Sequence, residues 1–201
     1  YQDLIEKQFA NFPNCMPVIN MLNTKYIIQG NIATDTIPNP NALGACWFVK
    51  GIRAEKGPKE IINALSNFNP KDTAIVESSY APQIHTSNDT TGNIKLVYND
   101  NDIAEYTSNA ASEQFAVFSE IYYDKGWFAT IDGKEASIVP VNYVLRGLQI
   151  PGGNHKIVFE FKPASYYTGN KITVASSAIV WLLLLGAIAE AVIKRRKQTT
   201  V

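Results

Sequence analysis

The chain has 201 residues, of which 46% are hydrophobic and 18% are charged, and its 18 basic residues balance its 18 acidic ones. This length allows one large domain or two small domains with a hydrophobic core. Four basic residues form one cluster at 194–197, so the rest of the chain is mildly acidic and we expect no nucleic-acid partner.

Two further features concern export and redox state. The first residue is Tyr1, and the chain does not begin with the pattern of a signal peptide, so we expect the C-terminal piece of a longer protein. Cys15 and Cys46 are too few for a disulfide framework. Two alternatives stay open, a single disulfide outside the cytoplasm or two buried free thiols, and we favour the free thiols.

Residues 1–80 have the pattern of a small α/β unit. Apolar residues at helical spacing predict a helix over residues 1–10 and another that begins at Pro58. Short apolar runs predict three strands, at residues 25–28, 46–49 and 73–76.

Residues 81–92 are polar and turn-forming, and we expect them to link this unit to a β-sandwich domain at 93–170. The apolar run 115–118 predicts a central strand, and Asp132-Gly133 between two strand patterns predicts a hairpin. Six or seven short strands predict an antiparallel, jelly-roll-like sandwich. The predicted fold class is therefore mostly β, with a small α/β unit before the sandwich and one transmembrane helix after it.

Residues 171–193 form the predicted transmembrane helix. The stretch 172–189 carries no charge and no proline, and a helix over 172–193 is about 33 Å long, which matches the hydrocarbon thickness of a bilayer. Glu190 precedes Lys194 by one helical turn, so we expect the two to pair. Because basic residues stay inside, the cluster predicts a cytoplasmic tail at 194–201 and an extracytoplasmic position for residues 1–170.

No group of residues in the sequence indicates catalysis, a cofactor or a metal. The only histidines, His85 and His155, lie in a polar loop and a turn, and no nucleophile elbow or phosphate loop is present. Asp100 and Asp102 have the spacing of a nucleotide-sugar metal motif, but their Asn- and Asp-rich surroundings favour a turn. We therefore predict no catalytic, cofactor-binding or metal-binding residue here, and a stand-alone hydrolase is disfavoured.

Five aromatic residues are the candidates for contact with a sugar: Tyr122, Tyr123, Trp127, Tyr166 and Tyr167. Flat rings of this kind stack on a sugar ring or a lipid headgroup. The alternative, which we favour, makes Trp127 an anchor of the core and places Tyr166 and Tyr167 at the membrane interface.

Several stretches together resemble the C-terminal region of the YfhO family of bacterial membrane proteins. They are Asn-Met-Leu-Asn-Thr-Lys-Tyr-Ile-Ile at 20–28, Tyr-Tyr-Asp-Lys-Gly-Trp at 122–127, Ile-Asp-Gly-Lys at 131–134, Pro-Gly-Gly-Asn-His at 151–155 and Phe-Glu-Phe-Lys-Pro at 159–163. The resemblance runs from about residue 20 to the end of the chain. One departure is Asp124-Lys125, where the family commonly has proline.

The resemblance implies a membrane glycosyltransferase that uses lipid-phosphate-linked sugars outside the cytoplasm and glycosylates cell-envelope polymers such as lipoteichoic acid. In such enzymes the catalytic acidic residue lies in an early extracytoplasmic loop, so none is carried over to this chain. The implied partners are upstream transmembrane helices of the same protein, a glycan or lipid-linked sugar, and the bacterial inner membrane. The sequence thus predicts an accessory domain and membrane anchor of such an enzyme. The alternative is a non-catalytic carbohydrate-binding or assembly domain of a cell-envelope protein.

Overall fold

The structure is a computed structural model that describes residues 2–28 and 36–198, with the backbone alone for 196–198. The chain divides into two compact units, residues 1–161 and residues 162–201. The tail at 199–201 and the side chains of Arg196 and Lys197, on which the predicted topology partly rests, lie outside the described residues.

The first unit is built mainly from short strands. Within its described residues these are β1 Tyr26–Ile28, β2 Thr36–Pro38, β3 Cys46–Val49, β4 Gly51–Glu55, β5 Thr73–Glu77, β6 Asn93–Asn99, β7 Ile103–Ala110, β8 Gln114–Ile121, β9 Trp127–Ile131, β10 Lys134–Ala136, β11 Val139–Val141, β12 Leu145–Ile150 and β13 Gly153–Phe161. They form a six-stranded sheet, a five-stranded sheet and the small β1–β2 ribbon.

The six-stranded sheet has the order β3-β8-β12-β11-β5-β4. Its pairs are antiparallel except β4 and β5, which run parallel because helix α3, Pro58–Ala64, connects them. The predicted central strand 115–118 lies in β8, between β3 and β12. Strands from both sides of the predicted linker at 81–92 share this sheet, so that segment does not separate two sheets.

Both faces of β8 are buried, which explains its continuous apolar run. Phe115 and Val117 belong to a core cluster with residues of helices α1, Gln2–Lys7, α2, Met16–Met21, and α3. The alternate residues Ala116 and Phe118 belong to a second cluster, with residues of β7, β9 and β13. A strand covered by helices on one face and by a second sheet on the other needs apolar residues at every position.

The five-stranded sheet has the order β10-β9-β13-β7-β6, and all its pairs are antiparallel. The core between the two sheets is centred on Tyr106, Phe118 and Phe159, whose rings meet edge to face with centroids 4.8–5.8 Å apart. The predicted mostly-β sandwich with a long helix at its C-terminal end is therefore confirmed. The helices α1–α3 add a third layer on the outer face of the six-stranded sheet.

The second unit contains helix α4, Ala164–Gln198. Residues 164–195 are long and apolar enough to cross a membrane, which confirms the helix predicted at 171–193 and extends it toward the N-terminus. At 1.5 Å per residue these residues span about 48 Å, more than the roughly 30 Å of a bilayer's hydrocarbon. Glu190 and Lys194 form the expected pair, with 2.7 Å between carboxylate oxygen and ammonium nitrogen.

Candidate functional site

Three of the five predicted sugar-contact residues come together in one open cleft of the first unit, with a volume of about 240 Å³. Those three are Tyr122, Tyr123 and Trp127. The remaining lining residues come from β9, from β10 and from the connections beside them: Asp124, Phe128, Ala129, Glu135, Ala136, Ser137 and Ile138. The two sides of the cleft meet because β9 and β10 fold back on each other.

The β9–β10 hairpin brings the two sides of the cleft together. Asp132 and Gly133 at its turn have φ of 51° and 79°, as the favoured two-residue hairpin turns require. The register pairs Glu135 with Thr130 and Ala136 with Ala129. The hairpin predicted from Asp-Gly is thus confirmed, and it sets the position of Glu135 along β9.

Trp127 lies at the boundary between core and cleft. Its indole is half-buried and packs against the cluster that contains Phe118, Ile157 and Phe159. The ring of Phe161, its partner on β13, lies 5.3 Å away between centroids. Trp127 therefore packs against the core, as predicted, while it also lines the cleft. Contact with a sugar stays a prediction.

The buried side chain of Arg146 packs against the indole of Trp127. Arg146 on β12 has only 3% of its surface exposed, and its guanidinium carbon lies 4.0 Å from the centroid of the Trp127 ring. Its Nε donates a 2.9 Å hydrogen bond to the carbonyl oxygen of Ile121. Burial lowers the pKa of Arg146, and the charge of Glu120 opposes that shift. The sequence analysis missed this residue, since one Arg in a predicted strand does not reveal its direction.

The charges of the cleft are negative. Asp124 and Glu135 are acidic, and no basic residue is among the described residues that line the cleft. Burial raises the pKa of the Tyr122 hydroxyl, and charges at Tyr80 and Asp124 raise it further, so Tyr122 stays neutral at physiological pH. Aromatic faces beside carboxylates and the Ser137 hydroxyl suit a ligand with apolar C–H faces and many hydroxyl donors.

The other two predicted aromatic residues, Tyr166 and Tyr167, lie in the second unit, in the first turn of α4. Their rings meet edge to face with centroids 5.5 Å apart, and both side chains are exposed. They precede the apolar stretch of the helix, where aromatic residues commonly anchor a membrane helix at the interface.

The remaining polar candidates of the sequence analysis have local partners. Asp100 lies in the turn between β6 and β7, where its backbone N–H donates to the Ile103 carbonyl, which confirms the turn. Within the described part of the chain, no three His, Cys, Asp or Glu residues are grouped to hold a metal ion. Cys15 and Cys46 are both free thiols, and burial raises the pKa of Cys46 to about 12.

Comparison with known proteins gives one family. The family model described as bacterial membrane protein YfhO matches residues 68–173, more than half of the chain. Neither the comparison with curated proteins nor the comparison with solved structures found a match. The matched segment contains β6–β13, the cleft and the start of α4. The chain therefore belongs to the YfhO family of bacterial membrane proteins.

Proposed function

We propose that this chain is the extracytoplasmic accessory domain and membrane anchor of a polytopic bacterial glycosyltransferase. The enzyme would take a sugar from a lipid-phosphate carrier and transfer it to a cell-envelope glycopolymer. In this proposal the first unit binds a glycan through Tyr122, Tyr123 and Trp127, and α4 holds the unit at the inner membrane. Catalysis belongs to another part of the protein.

The cleft is the observation that carries this proposal. It combines four aromatic side chains, including Phe128, with two carboxylates and the Ser137 hydroxyl in one open depression. An open depression suits part of a polymer chain, which must enter and leave along its length. A ring that stacks on the C–H face of a sugar contributes most of the contact area, while the carboxylates accept hydrogen bonds from sugar hydroxyls.

The proposed orientation is supported by the charge at the end of α4. Lys194 and Arg195, followed in sequence by Arg196 and Lys197, stand directly after the apolar stretch. Because basic residues next to a membrane helix commonly remain in the cytoplasm, this cluster supports an extracytoplasmic position for the other end of α4. Lipid-linked sugars of envelope assembly are used on that side.

The second candidate function is a non-catalytic carbohydrate-binding or assembly domain of a cell-envelope protein. The same cleft favours it, because glycan binding needs no catalytic group. The two functions differ in the protein to which the domain belongs. An upstream series of membrane helices with an acidic residue in the first outer loop distinguishes the transferase from the assembly protein.

Glycan binding by the full chain tests the proposal. The protein is placed in nanodiscs of neutral phospholipid and titrated with cellopentaose, chitopentaose and lipoteichoic acid, and binding is followed by saturation-transfer NMR. We expect binding of at least one probe, and about tenfold weaker binding by Tyr123→Ala, since loss of one stacking ring costs on the order of 1 kcal/mol.

Tyr98→Ala is the matched control for this experiment. Tyr98 and Tyr123 are both 50% exposed, but Tyr98 lies on β6 and does not line the cleft. We expect its replacement to leave glycan affinity unchanged. Absence of binding to all three probes, or an equal loss in both variants, would contradict the proposed function.

A further inference from the structure

Arg146 is a buried cationic residue whose hydrogen-bond donors are not all satisfied within the described part of the chain. Its side chain is almost fully buried, and its Nη1 has no hydrogen-bond partner among the described residues. An unpaired buried donor on a charged group is unfavourable, and a buried charge is often replaced by an apolar residue without loss of stability. We therefore expect Arg146 to have a role other than stabilising the fold.

The contacts of Arg146 join the two segments that carry the aromatic residues of the cleft. Its Nε binds the carbonyl oxygen of Ile121, the residue directly before Tyr122. Its guanidinium plane covers the indole of Trp127 and also lies 5.5 Å from the ring of Phe159. One rigid group thus fixes both the end of β8 and the start of β9.

We propose that Arg146 is a positioning residue for the glycan cleft, which holds the Trp127 indole in the orientation that binds sugar. The inference rests on the proposed function of the cleft. The cation contacts one face of the ring, so the indole cannot turn about its side-chain bonds without losing that contact. The bond to Ile121 holds Tyr122 and Tyr123 at a constant distance from the indole. Arg146 itself is not among the lining residues, so we expect it to act through Trp127 and not by direct contact with the glycan.

The chemistry of the contact predicts what other side chains would do at this position. Methionine fills a similar volume and removes the buried charge, so Arg146→Met is expected to keep the fold. Lysine keeps the charge, but its ammonium group cannot stack over the indole and bind the Ile121 carbonyl with one planar fork. In both variants we therefore expect the Trp127 indole to be free to change its orientation.

The test uses the full chain labelled with 5-fluorotryptophan. The chain has three Trp residues, and their fluorine NMR signals are assigned by single Trp→Phe replacements. In Arg146→Met and Arg146→Lys we expect the Trp127 signal to shift or broaden while the signals of Trp47 and Trp181 stay in place. Binding of the glycan probe that the wild type recognises is expected to weaken about tenfold. If Arg146→Met fails to fold, the fluorine signals and the glycan affinity of Arg146→Lys provide the test.

Arg53→Met is the matched control, because Arg53 is an exposed residue on β4 and makes its hydrogen bonds to Glu55 and to the Asn67 carbonyl. It is expected to move no fluorine signal. A Trp127 signal that stays in place, or a shift shared with Trp47 in the core, overturns the inference. A wild type that binds no glycan refutes the proposed function instead, and the Trp127 signal then still reports whether Arg146 holds the indole.

Discussion

The Trp127 side chain contacts both the core and the cleft. This position determines how much its removal should lower the free energy of unfolding. Its indole packs against the core between the sheets and against Phe161, and its outer edge lines the cleft. Truncation of a fully buried Trp to Ala costs about 3–5 kcal/mol. Because this indole is only half-buried, the loss at Trp127 should fall below that range.

We expect Trp127→Ala to lower the free energy of unfolding by about 2–3 kcal/mol, for lost packing and for an Arg146 guanidinium left without its ring. In a domain of this size that corresponds to a fall in melting temperature of roughly 4–12 °C, measured by calorimetry. Phe128→Ala, the exposed neighbour on β9, is the control and should melt like the wild type. A Trp127→Ala protein that also melts like the wild type would show that the indole contributes nothing to the core.

At the residue scale, the sequence predicts which side of a strand a residue lies on better than it predicts which residues that side chain contacts. Trp127 packs against the core, as the sequence predicts, while its neighbour Phe128 on β9 is exposed. Arg146 could not be found in this way, since its strand lies between β8 and β11 and nearly all its residues are buried. A periodic pattern is lost where both faces of a strand are covered, and a buried charge then has no signature in the sequence.

At the element scale, the close approach of β12 to β8 depends on Gly147. A Cβ atom added there would lie 2.7 Å from Cγ1 of Val141 and 2.9 Å from Cε1 of Phe115, both in the core. We expect Gly147→Ala to destabilise the protein by about 1–3 kcal/mol through overpacking, measured by denaturant unfolding.

Gly51→Ala is the matched control for this substitution. Gly51 also lies in a strand of the six-stranded sheet, but no atom stands within 4 Å of an added Cβ. Its replacement should change the free energy of unfolding by less than about 0.5 kcal/mol. Equal losses of unfolding free energy in the two variants would show that the packing of β12 against Phe115 does not limit the size of the side chain at position 147.

The imidazole of His155 joins the β9–β10 turn to the turn between β12 and β13. In His155, Nδ1 lies 2.6 Å from a carboxylate oxygen of Asp132, and Nε2 lies 3.1 Å from the Gly152 carbonyl. Both partners are acceptors, so the doubly protonated ring satisfies both. The bond to Asp132 raises the pKa of His155 above its ordinary 6.5, and the Gly152 carbonyl raises it further.

A raised pKa in the folded state gives stability that is complete below the unfolded pKa and is lost as the pH rises through the folded pKa. The Asp132 carboxylate, whose pKa is lowered chiefly by the same bond, stays charged throughout this window. The melting temperature should therefore exceed that of His155→Gln by more at about pH 6 than at about pH 8.5. A difference between the two proteins that is constant across these pH values would contradict the linkage.

Element boundaries show where sequence patterns succeed and where they fail. The strand predicted at 46–49 and the Asp132-Gly133 hairpin are confirmed, because an apolar run and a turn sequence are local signals. Strand β4 was missed, since Arg53 and Glu55 on an exposed edge have no apolar alternation. The second strand pattern beside Asp132-Gly133, which runs over residues 135–139 of the sequence, instead contributes to two strands, β10 and β11, which join different sheets. A change of sheet leaves no mark in the local pattern.

At the scale of the whole molecule, the chain combines a folded unit that carries a cleft with a helix suited to a membrane. The family is established by the match over residues 68–173, and α4 is long and apolar enough to cross a membrane. The side of the membrane is the step on which the proposed function depends. A cleft for envelope glycans meets its ligand only if residues 1–161 lie outside the cytoplasm.

Labelling of single cysteines in intact bacteria tests that step most directly. Cys15 and Cys46 are replaced by Ala, and one cysteine is introduced either at Thr90, an exposed residue between β5 and β6, or at Thr200 beyond the basic cluster. We predict that a membrane-impermeant maleimide labels the Thr90→Cys protein in intact cells and the Thr200→Cys protein only after permeabilisation. Labelling of Thr200→Cys in intact cells, with Thr90→Cys protected until permeabilisation, would contradict the account.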